Sequence, residues 1–132
     1  MIFPDVIGSN LRRRKLRLPI DLSGDLNLLI ISFKHTQHTM IEQWLNFLTS
    51  LEMKFPKLKS YEIPTFGLYY KFIKSKLEKA MISKVTEKNI QEKIITLFLR
   101  KTKFKKTLGI PNEDTIYMFL VDRRGYIHWT ST

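Results

Sequence analysis

Two histidines three positions apart, His35 and His38, are the residues whose type and spacing most directly suggest chemistry. They lie in a polar stretch, Lys34-His35-Thr36-Gln37-His38-Thr39. An imidazole changes charge near neutral pH, so His38 suits a general acid–base role. A pair of imidazoles also suits a metal ion. A catalytic zinc site takes three protein ligands, however, and neither His128 nor any carboxylate stands at a ligand spacing to the pair. No nucleophile can be named beside either ring, so a solvated loop or a helix-capping role is the simpler reading. A non-thiol enzyme using His35, His38 or His128 therefore ranks last among the functions considered. No metal is expected on that ligand count, and no cofactor is expected, because the chain has neither a G-x-G-x-x-G nor a P-loop sequence.

Charge is the second signal. The 132 residues hold 23 Lys and Arg against 12 Asp and Glu, a formal net charge of +11. Such a field favours nucleic acid, anionic lipid or an acidic protein without choosing among them. The densest runs are Arg12-Arg13-Arg14-Lys15 with Arg17, and Arg100-Lys101 with Lys103, Lys105 and Lys106. These are candidate anion-binding residues, since cations that neutralise phosphates give salt-sensitive affinity. No helix-turn-helix or RNP-type aromatic pattern accompanies them, so solvated basic faces are the simpler reading. Tyr61, Phe66, Tyr69, Tyr70 and Phe72 form an aromatic cluster whose spacing suits a core. Phe72 falls off the stripe and suits a surface patch. Trp129 suits either an interface anchor or a cover for the core.

The chain contains no cysteine. Disulfides, thiolate nucleophiles and cysteine-ligated metals are excluded with it, and so is a secreted fold stapled by disulfides. Met1-Ile2-Phe3-Pro4-Asp5 lacks the positively charged start and apolar run of a signal peptide. The longest apolar run, Leu28 to Ile31, is far too short to span a bilayer. A soluble, cytoplasmic protein is the expectation.

These residues need elements to position them. A single domain is expected, with residues 1–25 as a basic N-terminal extension or hairpin and 26–132 as the core. Residues 8–25 read as a solvated edge hairpin or loop, because charges break the alternation of Leu11, Leu16 and Leu18. Leu26 to Phe33 is a near-continuous apolar run, the pattern of a central strand buried on both faces. Thr39 and Glu42 have capping-box spacing, which predicts a helix start. Ile41, Trp44, Leu45, Leu48 and Leu51 make its apolar stripe, and Pro56 ends it. Leu58, Tyr61 and Ile63 mark a second strand closed by Pro64. Phe66, Tyr69, Tyr70, Ile73, Leu77 and Met81 then read as another helical stripe, with a Lys74–Glu78 pair on its outer side. Ile94 to Leu99 is a third buried strand. Thr102 to Leu108 is a short basic helix capped by Gly109. Ile116 to Val121 and Tyr126 to Trp129 form a hairpin around Asp122-Arg123-Arg124-Gly125. Alternating strands and helices imply a mostly parallel sheet with helices on both faces and an antiparallel edge from the closing hairpin.

This order resembles the thioredoxin-like superfamily, in its peroxiredoxin-like branch. Leu26–Phe33 with the following loop and Trp-containing helix is similar to the strand, active-site loop and helix of peroxiredoxins and periplasmic thioredoxin-like reductants. Leu99–Ile110 is similar to their next short helix. Ile116–Trp129 is similar to their closing hairpin, and also to the ending of a mitochondrial ATP synthase assembly factor of thioredoxin-like fold. The resemblance implies that Lys34, His35, Thr36, Gln37, His38 and Thr39 occupy the former active-site loop, where redox members carry the reactive cysteine. It also implies a cis-proline before the hairpin, where this chain has Asn112-Glu113-Asp114-Thr115, and a terminal helix after it, where the sequence stops at Thr132. A redox-inactive binding or assembly/chaperone-type module, with a protein partner or a second copy of the chain, is therefore the expected function. A phosphate-directed binder of nucleic acid or anionic membrane is the alternative.

Overall fold

The computed structural model describes residues 1–131. Seven strands form one mixed sheet in the order β2-β1-β5-β4-β3-β6-β7. They are β1 (Val6–Asn10), β2 (Lys15–Leu18), β3 (Leu26–Ser32), β4 (Leu58–Gly67), β5 (Ile95–Leu99), β6 (Tyr117–Asp122) and β7 (Ile127–Thr130). The helices are α1 (Gln37–Glu42), α2 (Leu45–Lys54), α3 (Lys74–Lys84), α4 (Lys88–Gln91) and α5 (Lys101–Leu108), with a 3-10 helix over Leu68–Ile73. β3, β4 and β5 run parallel through helical crossovers, while β6, β7, β1 and β2 add antiparallel edges. The expected mixed sheet with helices on both faces is the one observed.

β3 sits in the middle because both its faces are apolar. Leu29 and Ile31 point to one side, where they meet Ile63, Leu97, Phe119 and Val121 of neighbouring strands and Phe104 and Leu108 of α5. Ile30 points to the other side, against Ile41 of α1 and Leu48 of α2. Each fully buried aliphatic side chain of this kind contributes about 1.5–3 kcal/mol. The second face is covered more thinly towards the hairpin. There Met118 and Leu120 are half-buried and Trp129 stays half exposed. Gly109 and Gly125 adopt φ of 70° and 93°, as their turn positions require.

Several expected elements differ. The basic hairpin is present at the sheet edge, but it is not a solvated excursion. Leu11, Leu16, Leu18 and Leu22 are buried, and Leu16, Leu18 and Leu22 join Phe3 in the main core. Charges on the outward positions of β2 hid this alternation. α1 starts at Gln37, and Thr36 stands at its N-cap without a side-chain cap bond, so the Thr39–Glu42 capping box does not form. The stripe from Ile41 to Leu51 is split between α1 and α2. Ile41 and Leu48 are buried, whereas Trp44, Leu45 and Phe47 are exposed. Pro64 does not end β4. It lies opposite Ser32 within a strand that continues to Gly67 and pairs with β5. Consequently Phe66 is a strand residue stacked on Phe98, 5.0 Å between ring centres, and not the start of a helix. Glu78 does not pair with Lys74. It is buried and accepts hydrogen bonds from Ser9 Oγ (3.0 Å) and Thr96 Oγ1 (3.1 Å), while Lys74 Nζ lies 5.7 Å over the Phe98 ring.

β1 passes very close to β5. A Cβ on Gly8 would come within 2.6 Å of the Thr96 carbonyl oxygen and 2.8 Å of a Leu97 methyl. One contact is backbone, so the sheet itself must move to admit a side chain. Gly8→Val is expected to lower stability by about 2–4 kcal/mol, in the range of severe overpacking. A urea titration checks this, and an unchanged midpoint would show that β1 is not closely packed on β5.

Candidate functional site

The parallel strands β3 and β4 end beside the loop that leads into α1. His38, in the first turn of α1, points onto β4. Its Nδ1 lies 2.9 and 2.8 Å from the two carboxylate oxygens of Glu62, and its Nε2 lies 3.0 Å from Glu42. Glu62 is nearly enclosed, with its side chain 11% exposed. A carboxylate taken out of water needs a charged or donating partner, and the imidazolium supplies it. With an acceptor on each ring nitrogen, the doubly protonated ring is favoured. The His38 pKa is accordingly raised from its ordinary value. The hydrogen bond to Glu62 is the largest cause, and the charges of Glu62 and Glu42 add to it against the opposing cost of burial.

The remaining loop residues are structural. Gln37 is buried. Its Oε1 accepts from the backbone N–H of Phe33 (2.8 Å) and Lys34 (3.2 Å), and its Nε2 donates to the Glu113 carbonyl at 2.7 Å. It therefore ties the end of β3 to the segment before β6. That segment, Asn112–Thr115, is held further by Lys101 and Lys105 on the Glu113 carboxylate (2.9 and 2.7 Å), which keep it ionised below the usual carboxylate range against the cost of partial burial. His35 is exposed, and its Nε2 lies 3.0 Å from Lys84 Nζ of α3. Lys34 reaches Asp114 at 3.2 Å. Thr36 and Thr39 are exposed.

Beneath this rim is a cavity of about 190 Å³ between α3 and the sheet. Its walls include Phe33, Pro64, Phe66, Leu77, Met81 and Ile94, with His35, His38, Glu62 and Lys84 among its polar lining. Among the described residues no group of three His, Cys, Asp or Glu side chains is placed to hold a metal. His35 and His38 point to different partners and do not converge.

The two basic clusters are not brought together. Asn10, at the end of β1, pairs with Ile95 at the start of β5, so Arg12, Arg13 and Arg14 turn at one end of that strand. Arg100 begins α5 at the other end. Arg17 is held by Asp5, Arg12 approaches Glu92 at 3.9 Å, and Lys101 and Lys105 are spent on Glu113. Arg13, Arg14, Lys15, Lys103 and Lys106 are exposed. Sequence reasoning missed Glu62, Glu42 and Lys84. For Glu62 a signal existed, because an acid between Tyr61 and Ile63 of an apolar strand needs an explanation.

The family model described as ATP10 protein matches residues 1–132. The chain belongs to the ATP10 protein family. No curated protein matches it in sequence. In structure this ATP10 family member is similar to the thioredoxin domain of a thiol-disulfide oxidoreductase from Bacteroides vulgatus (16% identity, 100% of this chain and 86% of the other, TM-score 0.64). It is also similar to a thiol-disulfide oxidoreductase from Bacteroides fragilis (14% identity, 100% and 90% covered, TM-score 0.63). A third is a thiol:disulfide interchange protein from a Bacteroides species (17% identity, 98% and 78% covered, TM-score 0.63). The fold is thus thioredoxin-like. Thiol chemistry uses a C-x-x-C pair at such a strand–loop–helix junction. In this ATP10 protein His35 and His38 stand three positions apart at the start of α1. The chain is a cysteine-free thioredoxin-like module of an assembly family, and no helix among its described residues is long and apolar enough to cross a membrane.

The His38 contacts make a pH-dependent prediction. A group whose pKa is raised on folding stabilises the fold fully below its unfolded value, near 6.5, and that contribution fades as pH rises through the folded value. The difference in urea midpoint between the wild type and His38→Asn should be largest near pH 5–6 and shrink above pH 7. A difference constant from pH 5 to 9 would show that the ring acts without its charge.

Proposed function

We propose that this chain is a redox-inactive, assembly-type binding module that holds a protein partner beside the former active-site cleft. The observation that carries the reading is the 3-10 helix after β4. It displays Tyr69 and Phe72 at 81% and 90% exposure, next to Leu68, Tyr70 and Ile73, which are also exposed. Tyr69 packs edge-on against Tyr70 and Phe72, at 6.0 and 6.4 Å between ring centres, so the rings form one surface. Contiguous exposed aromatics of this kind mark interaction sites. The strand that leads into them, β4, also supplies Pro64 and Phe66 to the cavity wall. His38 has both ring nitrogens engaged, which argues for holding over catalysis. The ATP10 family name supports an assembly role at a protein complex. A second copy of the chain is one form such a partner could take. The cytoplasmic location expected from the sequence and an organellar one are equally compatible with this role.

A photo-crosslinker placed at Lys71, between the aromatic rings, tests this in the native cell. A discrete protein adduct is expected at moderate salt, with a loss of about tenfold in Tyr69→Ser/Phe72→Ser, the scale of removing aromatic hot spots. An adduct unaffected by the double substitution would sink this surface.

The net charge of +11 supports a second reading, in which the exposed Arg13, Arg14 and Lys15 grip phosphates of nucleic acid or anionic membrane. Affinity for unrelated polyanions should then fall steeply between low and physiological salt. No binding at low salt would end that reading.

A further inference from the structure

We propose that the cavity beneath the His35–Lys84 contact binds a small monocarboxylate with an apolar tail, an arylalkanoate or a medium-chain fatty acid. This does not rest on the assembly role. Three observations carry it. The first is size. An apolar cavity of about 150 Å³ accommodates benzene, so about 190 Å³ accommodates a six-membered ring with a short arm or a chain of comparable volume.

The second is lining. Phe33, Pro64, Phe66, Leu77, Met81 and Ile94 offer water almost no partners, and water needs two to four hydrogen bonds to be stable in such a space. An apolar tail displaces it without losing hydrogen bonds.

The third is the charge at the rim. Each ionised rim group but one already faces an opposite charge. Glu62 is held by His38, His38 also by Glu42, and Lys34 by Asp114. Lys84 faces the His35 imidazole, its ammonium donating to Nε2 at 3.0 Å. An ammonium has three N–H donors, so it can keep His35 and also donate to an incoming carboxylate. The charged acceptor makes the stronger bond. A cationic head would meet Lys84 and Lys34 instead, and the one carboxylate of the lining, Glu62, is occupied. The side that enters the cavity is thus apolar and the side that stays at the mouth is a single negative charge. His35 and Lys84 belong to the loop and to α3 respectively, so their exposed contact lies across the entrance.

The test is a titration of the full chain, with methionine ε-methyl groups labelled, by 3-phenylpropionate, 3-phenylpropanol and 3-phenylpropylamine. The Met81 methyl resonance is expected to shift saturably with the acid, about tenfold more tightly than with the alcohol, and least with the amine. Lys84→Gln, at an exposed position that leaves the fold intact, should bring the acid to the alcohol's affinity and leave the alcohol unchanged. The proposal is overturned by any of three results: no saturable Met81 shift up to about 10 mM acid, equal affinity for acid and amine, or an acid-to-alcohol ratio that survives Lys84→Gln.

Discussion

The position of α3 is set by one buried carboxylate. Glu78 lies under the helix and accepts from the hydroxyls of Ser9 and Thr96. These two residues face each other across the β1–β5 pairing. Neither strand alone offers both donors, and a buried acid left without them is heavily disfavoured. The hydrogen bonds therefore couple three elements at once, and they do so beside the cavity wall. Leu77 precedes Glu78, and Ala80, Met81 and Lys84 follow within two turns on the same helix. A shift of α3 that broke the Glu78 contacts would move all four residues lining the cleft.

On the facing side, α1 is held by a different kind of interaction. His38 joins α1 to β4 through Glu62, and Gln37 joins the same turn to the backbone before β6. In a redox-active relative this junction must leave a sulfur accessible and reactive. Here the two histidines serve attachment. One imidazole is locked between two carboxylates, and the other lies on the ammonium of α3. The loop thus acts as a strut between the helices on this face of the sheet, and it holds them apart around the cavity.

Much of this architecture is legible in the chain. β3, β5 and the closing hairpin announce themselves because strands buried on both faces become apolar without interruption, and because Gly109 and Gly125 occur where the backbone must take positive φ. The thioredoxin-like order follows from them. The hairpin of residues 6–18 was harder, since its buried leucines alternate with arginines and lysines that face solvent. The stretch from Phe66 to Ile73 misleads because a 3-10 turn and a helix present apolar residues at nearly the same intervals. The candidate site was half visible. His35 and His38 could be found by their spacing. Their pairing with Glu62 and Lys84 could not, because Glu62 is 24 positions from His38 and Lys84 is 49 from His35, although an acid within the apolar strand marks Glu62 itself. Only the folded sheet brings them together.

β1 carries a further consequence, for the order of events during synthesis. Ser9 pairs with Thr96 across 87 positions of chain. Phe3 donates its N–H to Gly125, still later. On a ribosome β1 can pair with β2 as the hairpin emerges, but its other edge stays open until β5 has been made. Phe3, which precedes β1, and Leu16 and Leu18 of β2 stay uncovered until the later strands that bury them follow. A chain wired in this way folds late and as a unit, and its period of greatest vulnerability to aggregation falls before it has acquired any function.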